Sequence, residues 1–317
     1  MKIHGVLGPL DTAALGQTLM HEHITCADWS MRMNFGSRFF EFDQVAAMAA
    51  AQLKKAKALG VTTMVDGTPI NLGRDIRLIR EVAQRAEINI IASSGFYYQE
   101  EPWLAFREEE QLFDLLMEEC TNGISGTDSR PGILKAGVGH AGVTPLLHKV
   151  LSATGRVARE TGLPLFCHHD PSIRSGGEIL DLLASCGVPA HRVILGHSGD
   201  TTDLAYLEEM LQRGCYLGMD RFGFCDRDLG LEPRCDVIAA LCASGWADKL
   251  LLSHDLAAYL AFWDSWETTK NSDWLNLEED FTFIRRRVLP ALETRGVSQA
   301  QLRQMLVNNP RTFFEGI

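Results

Sequence analysis

The chain has 317 residues, with 30 Lys and Arg against 41 Asp and Glu, and a formal net charge of −11. With 46% hydrophobic and 22% charged residues it carries ample material for a core, which excludes disorder, collagen and coiled coil. An acidic balance without a Lys/Arg block disfavours nucleic acid or an anionic membrane as the main partner, since both reward clustered positive charge.

Length leaves one large barrel or two ordinary domains open, at about 150 residues per domain. Met1 to Gly16 holds no apolar run of signal-peptide length, and no stretch approaches the roughly 18 apolar residues of a membrane span. Eight cysteines with no CxxC pair and no evident secretion signal read as reduced thiols in a cytoplasmic enzyme. Cys215, Cys225 and Cys235 are evenly spaced, but structural zinc sites set their thiols much closer together.

In chain order, short apolar runs alternate with longer segments of helical periodicity, the mark of β/α units with parallel strands. Candidate strands cover 18–24, 61–66, 89–94, 132–137, 163–168, 192–197, 215–220 and 249–253. Helical stretches lie between them, among them 43–59, 144–160 and 202–213, where Leu146, Leu147, Val150, Leu151 and Val157, or Leu204, Leu207 and Leu211, recur at three and four. Thr144-Pro145 suits a helix start, and Ser298 with Gln301 suits a capping box for a final helix. Eight strands, each followed by a helix, predict a single-domain α/β (β/α)8 TIM barrel over 1–317, with a doubly wound open sheet as runner-up.

The placement of polar residues favours the barrel. His23, Asp66, Lys135, His168, His197, Asp220 and Asp255 all sit at or just past a strand's C-terminal end, the active-site rim of such barrels. The longest unpatterned connection, 256–277, carries Tyr259, Phe262, Trp263, Trp266 and Trp274, and reads as a lid or binding loop around an apolar acyl or aryl group.

His21-Glu22-His23 ends the first strand, where residues two apart face one side, so both imidazoles reach the same point and can grip one ion. The plain alternative is two hydrogen-bonded histidines at a polar strand end. His168 and His197 end two further apolar runs and Asp255 follows another, so the set offers nitrogen and oxygen donors for two divalent ions. Lys135 closes the buried run Gly132-Ile-Leu-Lys135. There it must pair with a carboxylate, lose its proton, or react as a neutral amine with carbon dioxide to give a carbamate able to bridge two metals.

The order His21-x-His23, Lys135, His168, His197, Asp255 resembles the phosphotriesterase family of the amidohydrolase superfamily, from about Gly16 to Phe314. The motifs are Thr18-Leu-Met-His-Glu-His23, Gly132-Ile-Leu-Lys135, Ile194-Leu-Gly-His197-Ser-Gly-Asp-Thr201, Gly218-Met-Asp-Arg-Phe-Gly223, Ser253-His-Asp255 and Asn309-Pro310. Gly95-Phe-Tyr97 and Asp220-Arg221-Phe222-Gly223 make the chain most like the phosphotriesterase-like lactonases. The resemblance implies a binuclear centre with His21, His23 and Asp255 on one ion and His168 and His197 on the other. A carboxylated Lys135 and a hydroxide would lie between them. Zinc is expected first, with Mn, Co or Fe as alternatives.

In that setting Asp255 would accept the water's proton. Tyr97 would hydrogen-bond a substrate ring oxygen or a metal-bound oxygen, and Arg221 would pair with Asp220 or orient the substrate. The alternatives are a core phenol for Tyr97 and a structural guanidinium for Arg221. As strand neighbours of ligands, His169 and His254 should point away from the metals. The expected activity is hydrolysis of a small-molecule carboxylic ester, a lactone first, with promiscuous phosphotriesterase activity. The competing readings are an amidase of small N-acyl compounds and a barrel without turnover, which the complete ligand set disfavours. Family resemblance suggests a homodimer.

Overall fold

The computed structural model describes residues 1–225, 229–261 and 280–316. The N-terminus forms an antiparallel hairpin of β1 (Lys2–Gly5) and β2 (Gly8–Asp11). Eight parallel strands follow, paired in chain order: β3 (Gln17–Ala27), β4 (Val61–Asp66), β5 (Asn89–Gly95), β6 (Ile133–Gly137), β7 (Leu165–His168), β8 (Val193–Gly196), β9 (Tyr216–Met219) and β10 (Leu250–Leu252). A further strand, β11 (Ala257–Ala261), pairs parallel with the outer half of β3. β10 and β11 act as two segments of one closing strand. Asp255 N–H donates to His21 O at 3.1 Å and His21 N–H donates to the Ser253 hydroxyl at 2.9 Å, so the last strand meets the first. A strand order without reversal, closed on itself, is the TIM barrel and excludes the doubly wound sheet.

Each barrel strand sends one apolar side chain inward: Met20, Val65, Ile91, Ile133, Phe166, Ile194, Tyr216 and Leu251 form a common cluster with Leu15, Phe313 and Phe314. A separate, larger core lies between the strands and the surrounding helices. The helix Pro145–Thr161 illustrates the outer layer. Thr144 caps it by accepting Leu147 N–H, Pro145 opens it, and Gly162 ends it in the left-handed region, while Leu147, Val150, Leu151 and Val157 face the core.

The sequence-based strands match closely, with 61–66 reproduced residue for residue. Two elements went unread. The N-terminal hairpin is only four residues a side and contains Pro9, and β11 was taken into the connection 256–277. Of that connection Tyr259 lies on β11, while Phe262, Trp263, Trp266 and Trp274 lie outside the described residues.

The Asn309-Pro310 motif belongs to the barrel floor. Fully buried Asn309 donates from Nδ2 to Ala247 O (2.8 Å) and Leu250 O (2.7 Å), tying the helix Asn309–Glu315 under β10. That places Phe313 edge-on to Tyr216, ring centroids 5.3 Å apart, as a plug. Phe313→Ala should leave a floor cavity and cost about 3–5 kcal/mol. Urea unfolding checks this, and an unchanged midpoint would remove Phe313 from the core.

Candidate metal centre

The histidines reach the rim because β3 is bulged. Leu19 pairs with Met64 and Glu22 with Asp66, so three steps on β3 answer two on β4. The extra residue lets Met20 stay in the interior layer while His21 and His23 both turn to the barrel mouth. Lys135 comes from β6, His168 ends β7, and His197 and Asp255 stand one and three residues beyond β8 and β10. Both of the latter have positive φ, 64° and 58°, a costly conformation for side chains of this kind that recurs where function requires it.

All six expected ligands are brought together. His23 Nε2 lies 3.0 Å and His21 Nε2 3.4 Å from Asp255 Oδ1, and the donor atoms of these three residues fall within 4.8 Å of one another. His168 Nδ1 and His197 Nε2 converge at 2.7 Å. Lys135 Nζ sits 2.9 Å from His21 Nε2 and 4.0 Å over the Phe166 ring. His21, His23, Lys135, His168 and His197 are all buried.

The hydrogen bonds behind the rings fix which nitrogen faces the mouth. Asp220 takes His21 Nδ1–H on Oδ2 (2.9 Å), and on Oδ1 both the His197 backbone N–H (2.7 Å) and His197 Nδ1–H (3.2 Å). His23 Nδ1 bonds the Thr68 hydroxyl at 2.8 Å. The outward nitrogens of His21 and His197 therefore present lone pairs toward the mouth, the arrangement that a carboxylate behind the ring imposes on metal-binding imidazoles, while His23 Nε2 hydrogen-bonds Asp255 Oδ1 at 3.0 Å. Imidazole nitrogens and a carboxylate gathered in this way suit divalent ions. Lys135 fits as well. Burial, opposed by Asp255 and Asp220, brings its amine down to about 8, where the neutral form needed for a carbamate is accessible.

Several sequence expectations hold and one needs correction. His169 turns away to bond Gly196 O at 2.5 Å, and His254 turns away to Glu22. Arg221 does not pair with Asp220, whose oxygens are taken by the imidazoles. It bridges Asp255 Oδ2 (Nε, 3.1 Å) and Asp200 Oδ2 (Nη1, 2.7 Å) instead. Tyr97 is buried with its ring 5.2 Å from His168, and burial with the neighbouring Tyr98 holds its phenol well above the usual tyrosine range. Asp66, another rim residue, bonds Ile24 N–H and Thr68 N–H and shapes the loop behind the site.

Asp220 was noted at a strand end but not as the orienter of two imidazoles, which only three-dimensional pairing of β3, β8 and β9 could reveal. Cys26, Leu72, Tyr98, Phe224, Leu256, Ala257 and Leu260 join the six candidate ligands, Tyr97 and Arg221 around a cavity of about 220 Å³. Of these, Leu256, Ala257 and Leu260 fall in the connection 256–277 that the sequence marks as a lid or binding loop, while Cys26, Leu72, Tyr98 and Phe224 carried no signal as site residues.

Fold and donor set together describe a parallel barrel whose mouth gathers residues able to hold metal ions. The chain belongs to the phosphotriesterase family, whose model matches residues 1–314. It is 37% identical to the phosphotriesterase homology protein of Mycobacterium tuberculosis over 318 residues, 97% of this chain and 96% of that one. The aryldialkylphosphatase of Saccharolobus solfataricus is 29% identical, with 96% of each chain covered, and the N-acetyltaurine hydrolase of Homo sapiens 26%, with 98% and 97% covered. The solved structure of the phosphotriesterase from Mycobacterium tuberculosis superposes with a TM-score of 0.92 at 36% identity, covering 99% of this chain and 98% of that one.

Gly67 keeps the space around the His21–Lys135 pair. A Cβ there would stand 2.6 Å from His21 Cδ2 and 3.7 Å from Lys135 Nζ. Gly67→Ala should push His21 aside and weaken metal retention about 10- to 100-fold, the range for lost ligand support. Chelator competition on the folded variant measures this, and wild-type retention would show that the ring has room to yield.

Proposed function

We propose that the protein is a binuclear metal-dependent hydrolase of carboxylic esters, with lactones as preferred substrates and phosphotriesters as slower ones. The observation that carries the reading is the convergence of His21, His23 and Asp255 opposite His168 and His197, with Lys135 beside His21, at the barrel mouth. Two divalent ions, zinc first with Mn, Co or Fe as alternatives, would be held there with Lys135 carboxylated. When bound, such ions make water acidic near neutral pH and polarise a carbonyl or phosphoryl oxygen.

The chain's own residues then divide the remaining work. Burial alone would raise the Asp255 carboxyl, but His21, His197, Arg221 and the His23 hydrogen bond outweigh it and hold the group well below the carboxylate range. Asp255 is thus ionised, and its role in taking the proton of the attacking water rests on its place beside His21 and His23 rather than on basicity, which so low a range weakens. Arg221 Nε, 3.1 Å from Oδ2, fixes its rotamer. Cys26, Leu72, Leu256, Ala257 and Leu260 supply apolar wall for an acyl chain in a cavity of about 220 Å³.

The leaving group separates ester from amide. An amide nitrogen must be protonated before it departs, whereas a lactone alkoxide needs only stabilisation. A phenol held well above its usual range, as Tyr97 is, is a poor proton donor and still a good hydrogen-bond donor, which supports the ester. Arg221 is committed to two carboxylates, which favours a neutral substrate. The alternative is an amidase of small N-acyl compounds, supported by full-length similarity to an N-acetyltaurine hydrolase. A panel of lactones, aryl esters, N-acyl compounds and paraoxon at matched metal loading decides between them, and turnover confined to N-acyl compounds would install the amidase.

A cytoplasmic homodimer completes the reading. Cys26, Cys120, Cys167, Cys186, Cys215, Cys235 and Cys242 are free thiols, and no helix among the described residues is long and apolar enough to cross a membrane. The helix Trp29–Phe35 contributes no buried residue and exposes Trp29 and Met33, a face a second copy would cover.

Elemental analysis after supplementation should find about two divalent ions per chain. Lys135→Ala should lose metal and activity, and a short carboxylic acid filling the vacated position should restore part of both. A lysine kept only for charge pairing gives no such rescue.

Tyr97→Phe should reduce kcat/KM for lactones more than for an aryl phosphotriester, whose phenolate leaves unaided. The expected loss is ~2 to 4 kcal/mol, of order 10²-fold. Equal losses on both substrates would assign Tyr97 to packing.

A further inference from the structure

Between His21 and His23, midway along β3, stands Glu22, which faces the opposite side of the strand and is completely buried. Its partners are hydrogen-bond donors from the closing strand. Oε1 accepts the Ser253 hydroxyl (2.8 Å), His254 N–H (2.9 Å) and His254 Nδ1–H (2.6 Å), and Oε2 accepts Leu256 N–H (3.0 Å). His254 Nε2 accepts Ile284 N–H at 3.1 Å, which leaves the ring proton on Nδ1, toward Glu22.

These bonds bracket one residue. The amides before and after Asp255 both end on the Glu22 carboxylate, while the Asp255 amide itself ends on His21 O. A peptide gripped on both sides in this way holds Asp255 in the left-handed region at φ 58° and sends its carboxylate toward His21 and His23. A buried carboxylate is costly to desolvate, and here the offset comes from four donors that all belong to the segment carrying Asp255.

We propose that Glu22 is a positioning residue that sets Asp255 against His21 and His23 by clamping the amides on either side of it. One side chain on the first strand thereby couples the two ligands beside it to a third on the last strand. This inference rests on reading His21, His23 and Asp255 as ligands of one ion.

The test uses full-length protein, metal-stripped and reloaded with Co²⁺ alone, with chelator competition and the cobalt absorption spectrum as readouts. Glu22→Gln keeps the size but turns an N–H₂ group toward donors, so at least one clamped amide loses its acceptor. The expected result is that one of two ions is held about 10- to 100-fold more weakly, with its spectrum altered and the other ion retained. Phe313→Ala, at the floor, is the control for general destabilisation and should keep both ions. If Glu22→Gln does not fold, Glu22→Asp, which keeps the charge but withdraws the oxygens by one methylene, should give the same selective loss in milder form. Two ions at wild-type affinity and spectrum in a folded Glu22 variant would overturn the proposal, as would loss of both ions in parallel with Phe313→Ala. Wild-type protein that takes up no Co²⁺ would instead remove the metal-centre reading beneath it.

Discussion

The mouth of this barrel depends on the joint where its last strand meets its first. His21 N–H to the Ser253 hydroxyl, Asp255 N–H to His21 O and His23 N–H to Leu256 O stitch the closing segment to β3, and four more bonds end on Glu22. Left-handed backbone at Asp255 costs on the order of 1–2 kcal/mol. Each hydrogen bond across the joint returns roughly 0.5–1.5 kcal/mol. Closure therefore holds the strained residue in place, and the same closure fixes the spacing of Asp255 from His21 and His23.

The orientation of the imidazoles has a second origin, in Asp220 at the end of β9. Burial alone would raise this carboxyl, yet the bonds and charges of His197 and His21 bring it far below the usual range, so it stays ionised among neighbours with almost no water. An ionised Asp220 demands donors, and both rings answer with Nδ1–H, leaving the far nitrogens as acceptors toward the mouth. The site is thus built from behind. Strand pairing places Asp220, Asp220 fixes the tautomers, and the tautomers turn ring nitrogens to the mouth in a cluster suited to a divalent cation.

The sequence displayed the strands well because a parallel barrel buries both faces of each strand and so writes continuous apolar runs, as in Arg192-Val-Ile-Leu-Gly-His197. The candidate metal-holding residues stood out for a related reason, since polar residues interrupt such apolar runs toward the barrel mouth. What stayed hidden is what depends on pairing across the closure. Glu22 reads as one more charged residue at a strand end until Ser253, His254 and Leu256 are brought against it from more than 230 positions away. Of the two roles expected for Arg221, pairing with Asp220 does not occur, because the fold spends that carboxylate on histidines and delivers Asp200 and Asp255 instead. β11 was missed because Ala257–Ala261 lacks a β-branched residue and runs into the aromatic-rich connection.

Arg221 is where the charge arrangement bears on the chemistry. Asp255, Arg221, Asp200 and Arg234 form an alternating row, with Arg234 fully buried and joined to Asp200 at 2.6 Å and to Gly199 O and Leu229 O. Two carboxylates balance two guanidiniums, so the row is close to neutral and its members hold one another in fixed geometry. If Asp255 takes a proton, its attraction for Arg221 weakens while the pull of Asp200 persists, so the guanidinium keeps its place as the carboxylate changes charge. A carboxylate supported in this way could gain and release a proton without the site rearranging, because the field around it is set before any substrate arrives.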